Sequence, residues 1–408
     1  MKIPIRSALL LGLLSQCALC LPQSKLSVSE AVAYALTHRS ELVSSDAKVS
    51  ASEKMRQQAG LISNPRFTFR KEDLRPEASP FGANSQTYWE ANQLLETSGK
   101  RGGRIAVASA DVEKARLERE LQRRRIVLAV HDAYWKARAA QLLAALYDED
   151  ARYSQELIGY HQARFQEGKI AEVDLLRVRV QAQQVRAAAA NAYLDAEKAV
   201  LVLAREMNAS GSDGWQLTDD LESMEEPWNI PAGADPAMLR LEGQLAHQTI
   251  TQAQAQTKLE RANGRPDLLF TGGYKRDVEI DSPIAGVQFD LPFFNRNQGA
   301  IAAAVAETNA AEANFRATRS RLLAELAIAR KEYDLRRDQY VNVFRPLREE
   351  AVQISNISRA AYQAGGLDLI RLLDAEKVRV DAELSFVRAL ANYHVSVAEL
   401  NYAEGMDQ

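Results

Sequence analysis

Hydrophobic positions recur at helical spacing over most of the chain and at a spacing of two in four short stretches. Leu121, Leu128, Trp135 and Leu142 stand seven apart, and so do Leu326, Tyr333, Tyr340, Leu347 and Ile354. A strict seven-residue apolar repeat makes helices supercoil on one another. The first run extends over about 105–165, which at about 1.5 Å per residue is a helix of about 90 Å. Gly168 follows, and the pattern returns through Leu175, Val178, Val185 and Leu194 to about Met207. The second run opens at Asn295-Arg296, as the first opens at Gly99-Lys100, and returns after Gly365 through Ala403. Pro346 lies inside it and is expected to kink it.

The two return points share a pattern. Phe165-Gln-Glu-Gly-Lys-Ile-Ala-Glu-Val-Asp-Leu-Leu176 aligns without a gap on Tyr362-Gln-Ala-Gly-Gly-Leu-Asp-Leu-Ile-Arg-Leu-Leu373, 197 positions on (362 − 165). Glycine takes positive φ without steric penalty and commonly ends helices, so each reads as the tip of a helical hairpin. One helix with a tolerated glycine is the bland reading; two copies in matching surroundings favour the tip. The chain is therefore expected to be duplicated, with a first repeat at 21–208, a linker at 209–234 and a second repeat at 235–408.

Each repeat opens with a helical pattern, at 26–61 with Ser27 and Ser29 as caps, and at 238–261. Asn64-Pro65 ends the first, because a residue before proline is pushed away from α. Two strands follow in each repeat. In Arg66–Glu72, Phe67 and Phe69 alternate with Thr68 and Arg70. A Pro-, Gly-, Ser- and Asn-rich loop at 73–85 leads to a strand at 87–95. Pro266 precedes a strand at 267–276. The last, at 284–291, sets Ala285, Val287, Phe289 and Leu291 against Gly286, Gln288 and Asp290. One apolar and one small or polar face suits a barrel with lipid outside and water inside; it also suits a small sheet on a soluble core. Four strands cannot close a barrel, and bare edges invite pairing.

Ala, Leu, Glu, Arg and Gln abound, as in long helices. The 51 basic and 54 acidic residues give a formal charge of −3, which does not point to nucleic acid. Residues 1–20 read as a secretion signal: Lys2 and Arg6, an apolar core at 8–14, then Ala18-Leu19-Cys20. Without them the charge is −5 (49 basic against 54 acidic). That apolar run is too short to span a bilayer as a helix, and no other stretch is long enough. Both cysteines, Cys17 and Cys20, lie in the expected signal, so a chain cut after Cys20 has no disulfide or thiolate metal site. Lipidation of Cys17 or Cys20 is the competing reading.

No enzyme site assembles. His38, His131, His161, His247 and His394 stand far apart. There is no nucleophile elbow, phosphate loop or HExxH, so no catalytic, cofactor or metal residues are expected. His131-Asp132, Tyr160-His161 and Arg123-Arg124-Arg125 read as polar helix surface. Tyr88, Trp89, Tyr274, Phe293 and Phe294 flank the strands, as an interfacial girdle or as core packing.

The duplicated helix, strand pair and hairpin, the Tyr-x-x-Gly…Leu-Leu tip and Asn64-Pro65 resemble the TolC-type outer-membrane factors over essentially the whole mature chain. The Gly99-Lys-Arg-Gly-Gly-Arg104 run and compact length are most similar to the outer-membrane components of cobalt–zinc–cadmium efflux systems. The resemblance implies a mainly α fold with a small β part. Coiled-coil hairpins would form an α-barrel, and four strands per chain would contribute to a trimeric, twelve-stranded transmembrane β-barrel. It implies a homotrimer in the outer membrane of a Gram-negative bacterium, its helical part in the periplasm, in contact with outer-membrane lipid. The implied partners are a periplasmic adaptor (membrane fusion) protein and an inner-membrane pump of the RND type or an ABC transporter. The implied function is a passive exit duct, with heavy-metal cations as the class the subfamily likeness suggests.

Gly168, Lys169 and Ile170, and Gly365, Gly366 and Leu367, match the family's adaptor-contacting tips. Asp374 matches an acidic position that holds the periplasmic gate closed. Arg371 departs from the pattern, since an aspartate is usual there, as Asp174 is in the first repeat. Three Arg371 beside three Asp374 would make a salt-bridged latch; a solvated helix face is the other reading. A soluble periplasmic coiled-coil adaptor or scaffold is the alternative function, with the same hairpins and no lipid-facing strands.

Overall fold

The computed structural model describes residues 25–72, 85–211, 215–277 and 280–406, apart from positions 225, 229 and 232. The expected signal, Cys17, Cys20 and nearly all of the loop at 73–85 lie outside the described residues. In chain order the elements are β1 (Lys25–Leu26), α1 (Val28–His38), α2 (Ser40–Ala59), β2 (Arg66–Glu72), β3 (Gln86–Leu95), α3 (Lys100–Gln166), α4 (Glu172–Met207), β4 (Gln216–Leu217), α5 (Pro236–Leu239), α6 (Leu241–Asn263), β5 (Leu268–Asp277), β6 (Ile280–Gln288), α7 (Gln298–Asp338), a π-helical segment (Gln339–Phe344), α8 (Arg345–Gln363) and α9 (Leu369–Glu404).

The long helices form one layer. Toward the sheet, α3 packs on α2 and α6, and α6 on α7; toward the tips, α3 packs on α4 and α9, and α8 on α9. The core sits between, where α1, α3, α4 and α9 meet. Tyr134 and Leu203 are fully buried there, and Trp135 stacks on His394 with ring centroids 3.8 Å apart. The expected linker takes part: β4 pairs in parallel with β1, and Leu217 and Leu221 are buried.

Each opening helix is broken where the sequence pattern runs straight through. Ser27 caps α1 in a reciprocal box with Glu30, so Ser29 is not the cap. Arg39 is extended (φ −72°, ψ 117°) and separates α1 from α2. Its guanidinium donates to the Glu206 carbonyl (2.9 Å), and the Asn208 amide donates to the His38 carbonyl (2.8 Å). A cation on the last carbonyls of α4 is favoured by the helix dipole. Arg240 breaks α5 from α6 in the same conformation (φ −82°, ψ 137°), buried between Glu242 (2.8 Å) and Glu325 (2.6 Å). Both breaks read Arg-x-Glu. Tertiary capture of an arginine overrides helix periodicity at both.

Both long helices start on a left-handed residue, Gly99 (φ 76°) and Asn297 (φ 61°). The equivalent of Gly99 is thus Asn297, not Asn295. Its amide donates to the Glu260 carbonyl (2.8 Å). The last strand is Ile280–Gln288, so Asp290 and Leu291 lie beyond it.

Pro346 acts differently from a simple kink. It lacks an N–H and its ring crowds the carbonyl four residues back. The chain answers with the π segment, in which the Arg345 N–H reaches back five residues to the Tyr340 carbonyl. The added residue rotates everything after it by about 100°. Tyr340 is buried as the seven-residue repeat expects, but Leu347 and Ile354 are exposed, and Ala351 and Ser355 take the inner face.

Gly243 lets α5 fold tightly onto α6, since a Cβ there would clash with the Ala237 carbonyl oxygen. Gly243→Ala should destabilise the chain by about 1–3 kcal/mol, as overpacking does. An unchanged melting temperature by circular dichroism would contradict this packing.

Candidate functional site

The two tips have the same backbone. Gly168 (φ 71°) and Gly365 (φ 77°) are left-handed, as helix-ending glycines are. Gly168 N–H donates to the Phe165 carbonyl and Lys169 N–H to the Arg164 carbonyl, each at 2.9 Å. At 197 positions on, Gly365 N–H donates to Tyr362 (3.0 Å) and Gly366 N–H to Ala361 (2.8 Å). Gly366 needs no positive φ, and a Cβ there would meet nothing nearer than 3.6 Å. The exposed Lys169 pairs with Glu167 at 2.7 Å. Ile170 and Leu367 are half-buried under the turns. The first leucine of each Leu-Leu pair, Leu175 or Leu372, is buried and anchors the return helix.

The tips differ in charge. The Asp368 carboxylate caps α9 by accepting from the Arg371 N–H (2.9 Å), whereas Ala171 opens α4 without a side-chain cap. Glu172 and Asp174 in the first turn of α4 suit its dipole instead. Within the chain the Arg371 guanidinium pairs with Asp368 (3.5 Å), and Asp374 stays exposed. Exposed pairs of this kind are individually weak.

A buried ionic cluster above the second tip escaped the sequence reading. Ser355 donates to Glu376 (2.8 Å), Arg359 in α8 clamps the same carboxylate with two nitrogens, one at 2.6 Å, and Arg379 approaches it at 3.1 Å. Arg379 also faces Glu383 (2.9 Å) and Asp150 of α3 (3.8 Å). The signal was faint: Ser355 and Glu376 lie ten and eleven residues from Gly365, as facing positions in a hairpin do. Burial pushes the Asp150 carboxyl up from its ordinary value. Burial also works on Glu376, but hydrogen bonds from Arg359 and Ser355 outweigh it and hold that carboxyl low.

Three other expectations change. His161 is fully buried, held by the Leu157 carbonyl (2.8 Å) and the Tyr362 hydroxyl (2.7 Å), so it ties the two hairpins. Arg124 donates to the Gly405 carbonyl (3.1 Å) and is not simply solvated. Tyr88 leaves the aromatic group, because it lies on the polar face of the sheet.

That sheet runs β2-β3-β5-β6, antiparallel throughout. The register puts Phe67, Phe69, Trp89, Phe270, Tyr274 and Val287 on one face. Arg70, Tyr88, Glu90, Asn92, Thr271 and Lys275 lie on the other. Phe69, Trp89 and Tyr274 are neighbours at 6.0 and 6.2 Å. Phe293 and Phe294 are exposed beside the strand-to-helix junction at the opposite end. Among the described residues β2 and β6 each have one unpaired edge. No helix among the described residues is long and apolar enough to cross a membrane.

The fold is that of outer-membrane channel proteins. CusC superposes with a TM-score of 0.79 at 16% identity over 93% of this chain and 92% of its own. The open-state outer membrane channel MtrE of Neisseria gonorrhoeae gives 0.78 at 17% identity, over 93% and 89%. The outer membrane efflux protein model matches residues 32–209 and 244–405. The chain belongs to the outer membrane efflux protein family; it is an outer-membrane efflux channel. It is similar to the cobalt-zinc-cadmium resistance protein CzcC of Cupriavidus metallidurans, 24% identical over 356 residues, 84% of this chain and 81% of the relative. It is also similar to the nickel-cobalt-cadmium resistance protein NccC of Alcaligenes xylosoxydans, 27% identical over 66% of this chain and 61% of the relative.

A carboxyl held below its ordinary value of 4.5 stabilises the fold fully above that value, and the stabilisation is lost as pH falls through the folded value. Acidification below about 4.5 should therefore loosen the second hairpin, and Glu376→Gln should remove that part of the pH dependence. Melting curves of both proteins on either side of that pH test it; parallel curves would show that Glu376 carries no such linkage.

Proposed function

We propose that three copies of this chain close a twelve-stranded barrel and a helical tunnel, a passive exit duct for heavy-metal cations. The observation that carries this is the sheet: one apolar face, one polar face and two open edges. Lipid demands that every backbone group be bonded, so the edges require neighbours. The likeness to CzcC and NccC supports metal cations as cargo. The tips at Gly168, Lys169, Ile170, Gly365, Gly366 and Leu367 would meet a periplasmic adaptor, which joins the duct to an inner-membrane pump of the RND type or an ABC transporter. The two repeats, at 21–208 and 235–408 with a linker at 209–234, would each supply one hairpin.

Detergent-extracted protein from the outer membrane should sediment as a trimer. A monomer released into the periplasmic fraction or washed off with carbonate would instead support the scaffold reading.

The gate reading places Arg371 and Asp374 at the threefold axis. They lie three apart on α9, and so share a face. Replacing Asp374 with alanine would leave the Arg371 ring with only Asp368 as counter-charge. Single-channel conductance should then rise, as should sensitivity to large antibiotics. Arg371→Asp should make the pore more cation-selective. Flat conductance and selectivity in both variants would remove these residues from the gate.

A further inference from the structure

On the polar face the register arranges side chains in rows. Arg70, Tyr88 and Lys275 stand side by side across β2, β3 and β5. The Arg70 guanidinium lies 4.6 Å from the centre of the Tyr88 ring, and the Lys275 ammonium 5.5 Å from it. Each cation also meets acids in adjoining rows. Arg70 faces Glu72 (3.1 Å) and Glu90 (3.7 Å), and Lys275 faces Asp277 (3.2 Å). The Tyr88 hydroxyl donates to Gln86 (2.8 Å), whose amide donates to Asp277 (3.1 Å). The result is one knitted belt with three carboxylates and two cations.

Its height is fixed by the other face. One residue nearer the helices is the aromatic pair Trp89 and Tyr274; one residue farther is the polar pairing of Thr87 with Arg276, itself bridged to Asp281 at 3.0 Å. The apolar band ends there. In a barrel with that face toward lipid, the belt would lie level with the outer boundary of the membrane.

We propose that this belt is the ion-selectivity element of the barrel's outer mouth. The inference rests on the trimeric barrel, with the polar face inward. Like-facing rows lie about 7 Å apart along a strand. That is within a Debye length of about 8 Å at physiological salt. A passing ion thus feels the sum of the rows, and a low-dielectric wall focuses that field. Two cations cancel two of three carboxylates, so the belt contributes a net −1 per chain and on its own favours cations only slightly. Divalent cations leave without binding tightly, as conduction requires.

Reversal potentials of reconstituted channels in a potassium chloride gradient test this. Arg70→Gln with Lys275→Gln leaves three uncancelled carboxylates per chain, and the cation-to-anion permeability ratio should rise several-fold. Glu72→Gln with Asp277→Asn leaves a net +1, and the preference should invert. Both shifts should shrink at high salt. Arg276→Gln with Asp281→Asn, on the lipid face at the same height, should change nothing. The chain's only two cysteines, Cys17 and Cys20, lie in its first 20 residues. Lys275→Cys can therefore be labelled after assembly: an anionic thiosulfonate should raise cation preference, and a cationic one should restore it. Trimeric channels whose reversal potential ignores the belt, labelled or mutated, overturn the belt alone. A protein that forms neither trimer nor channel overturns the barrel reading itself, and the belt with it.

Discussion

Two unpaired strand edges govern what this chain is able to be. The sheet presents an apolar face wide enough to meet lipid, yet among the described residues β2 and β6 have no partners beyond β3 and β5. In hydrocarbon each unsatisfied backbone group costs several kcal/mol, so an open sheet is not a stable endpoint there. The hairpins pose the same demand more gently. A layer one helix thick leaves apolar side chains such as Val173, Leu176, Val180 and Ile370 exposed. Both parts ask for more copies, and both are joined through α3 and α7, so one assembly step would satisfy them together.

The sequence shows this plan where structure depends on period alone. Alternation in Arg66–Glu72 placed Phe67 and Phe69 on the apolar face, and the paired glycines marked both tips. It hides what depends on distant contacts. Nothing local ends a helix at Arg39 or Arg240; each break exists because a guanidinium finds carbonyls or carboxylates far along the chain. The seven-residue repeat through Leu347 and Ile354 failed for a different reason. Its period was right, but Pro346 forced one extra residue into the preceding turn, and a rotation of about 100° turns a buried stripe outward.

Charges were the least legible. A reading along one helix does not show that Arg359, Glu376 and Arg379 face one another. Only the hairpin brings them together and away from water. Taking ions out of water is costly, and their mutual attraction repays it only when geometry and hydrogen bonds are good. Glu376 meets that condition with Ser355, Arg359 and Arg379 around it. This argues for a hairpin held in one register, which fixes where its tip lies.

Duplication did not leave two equal halves. The tips keep the same backbone turn, so their shape is set by Gly168 and Gly365. Their charge is not: Ala171 answers to Asp368, and Asp174 to Arg371. Only the second hairpin carries a π segment, which turns Leu347 and Ile354 outward. In a trimer six tips of one shape would therefore alternate between two chemistries. An adaptor binding by shape alone would see six equivalent places; one binding by charge would see two sets of three. The first tip's first turn is acidic without a cap, and the second's is capped and carries an arginine. Because the backbone is shared and the side chains are not, discrimination between the sets has to come from side chains, Glu167 and Lys169 against Ala364 and Gly366 on the turn and the first-turn residues after it, rather than from Gly168 and Gly365.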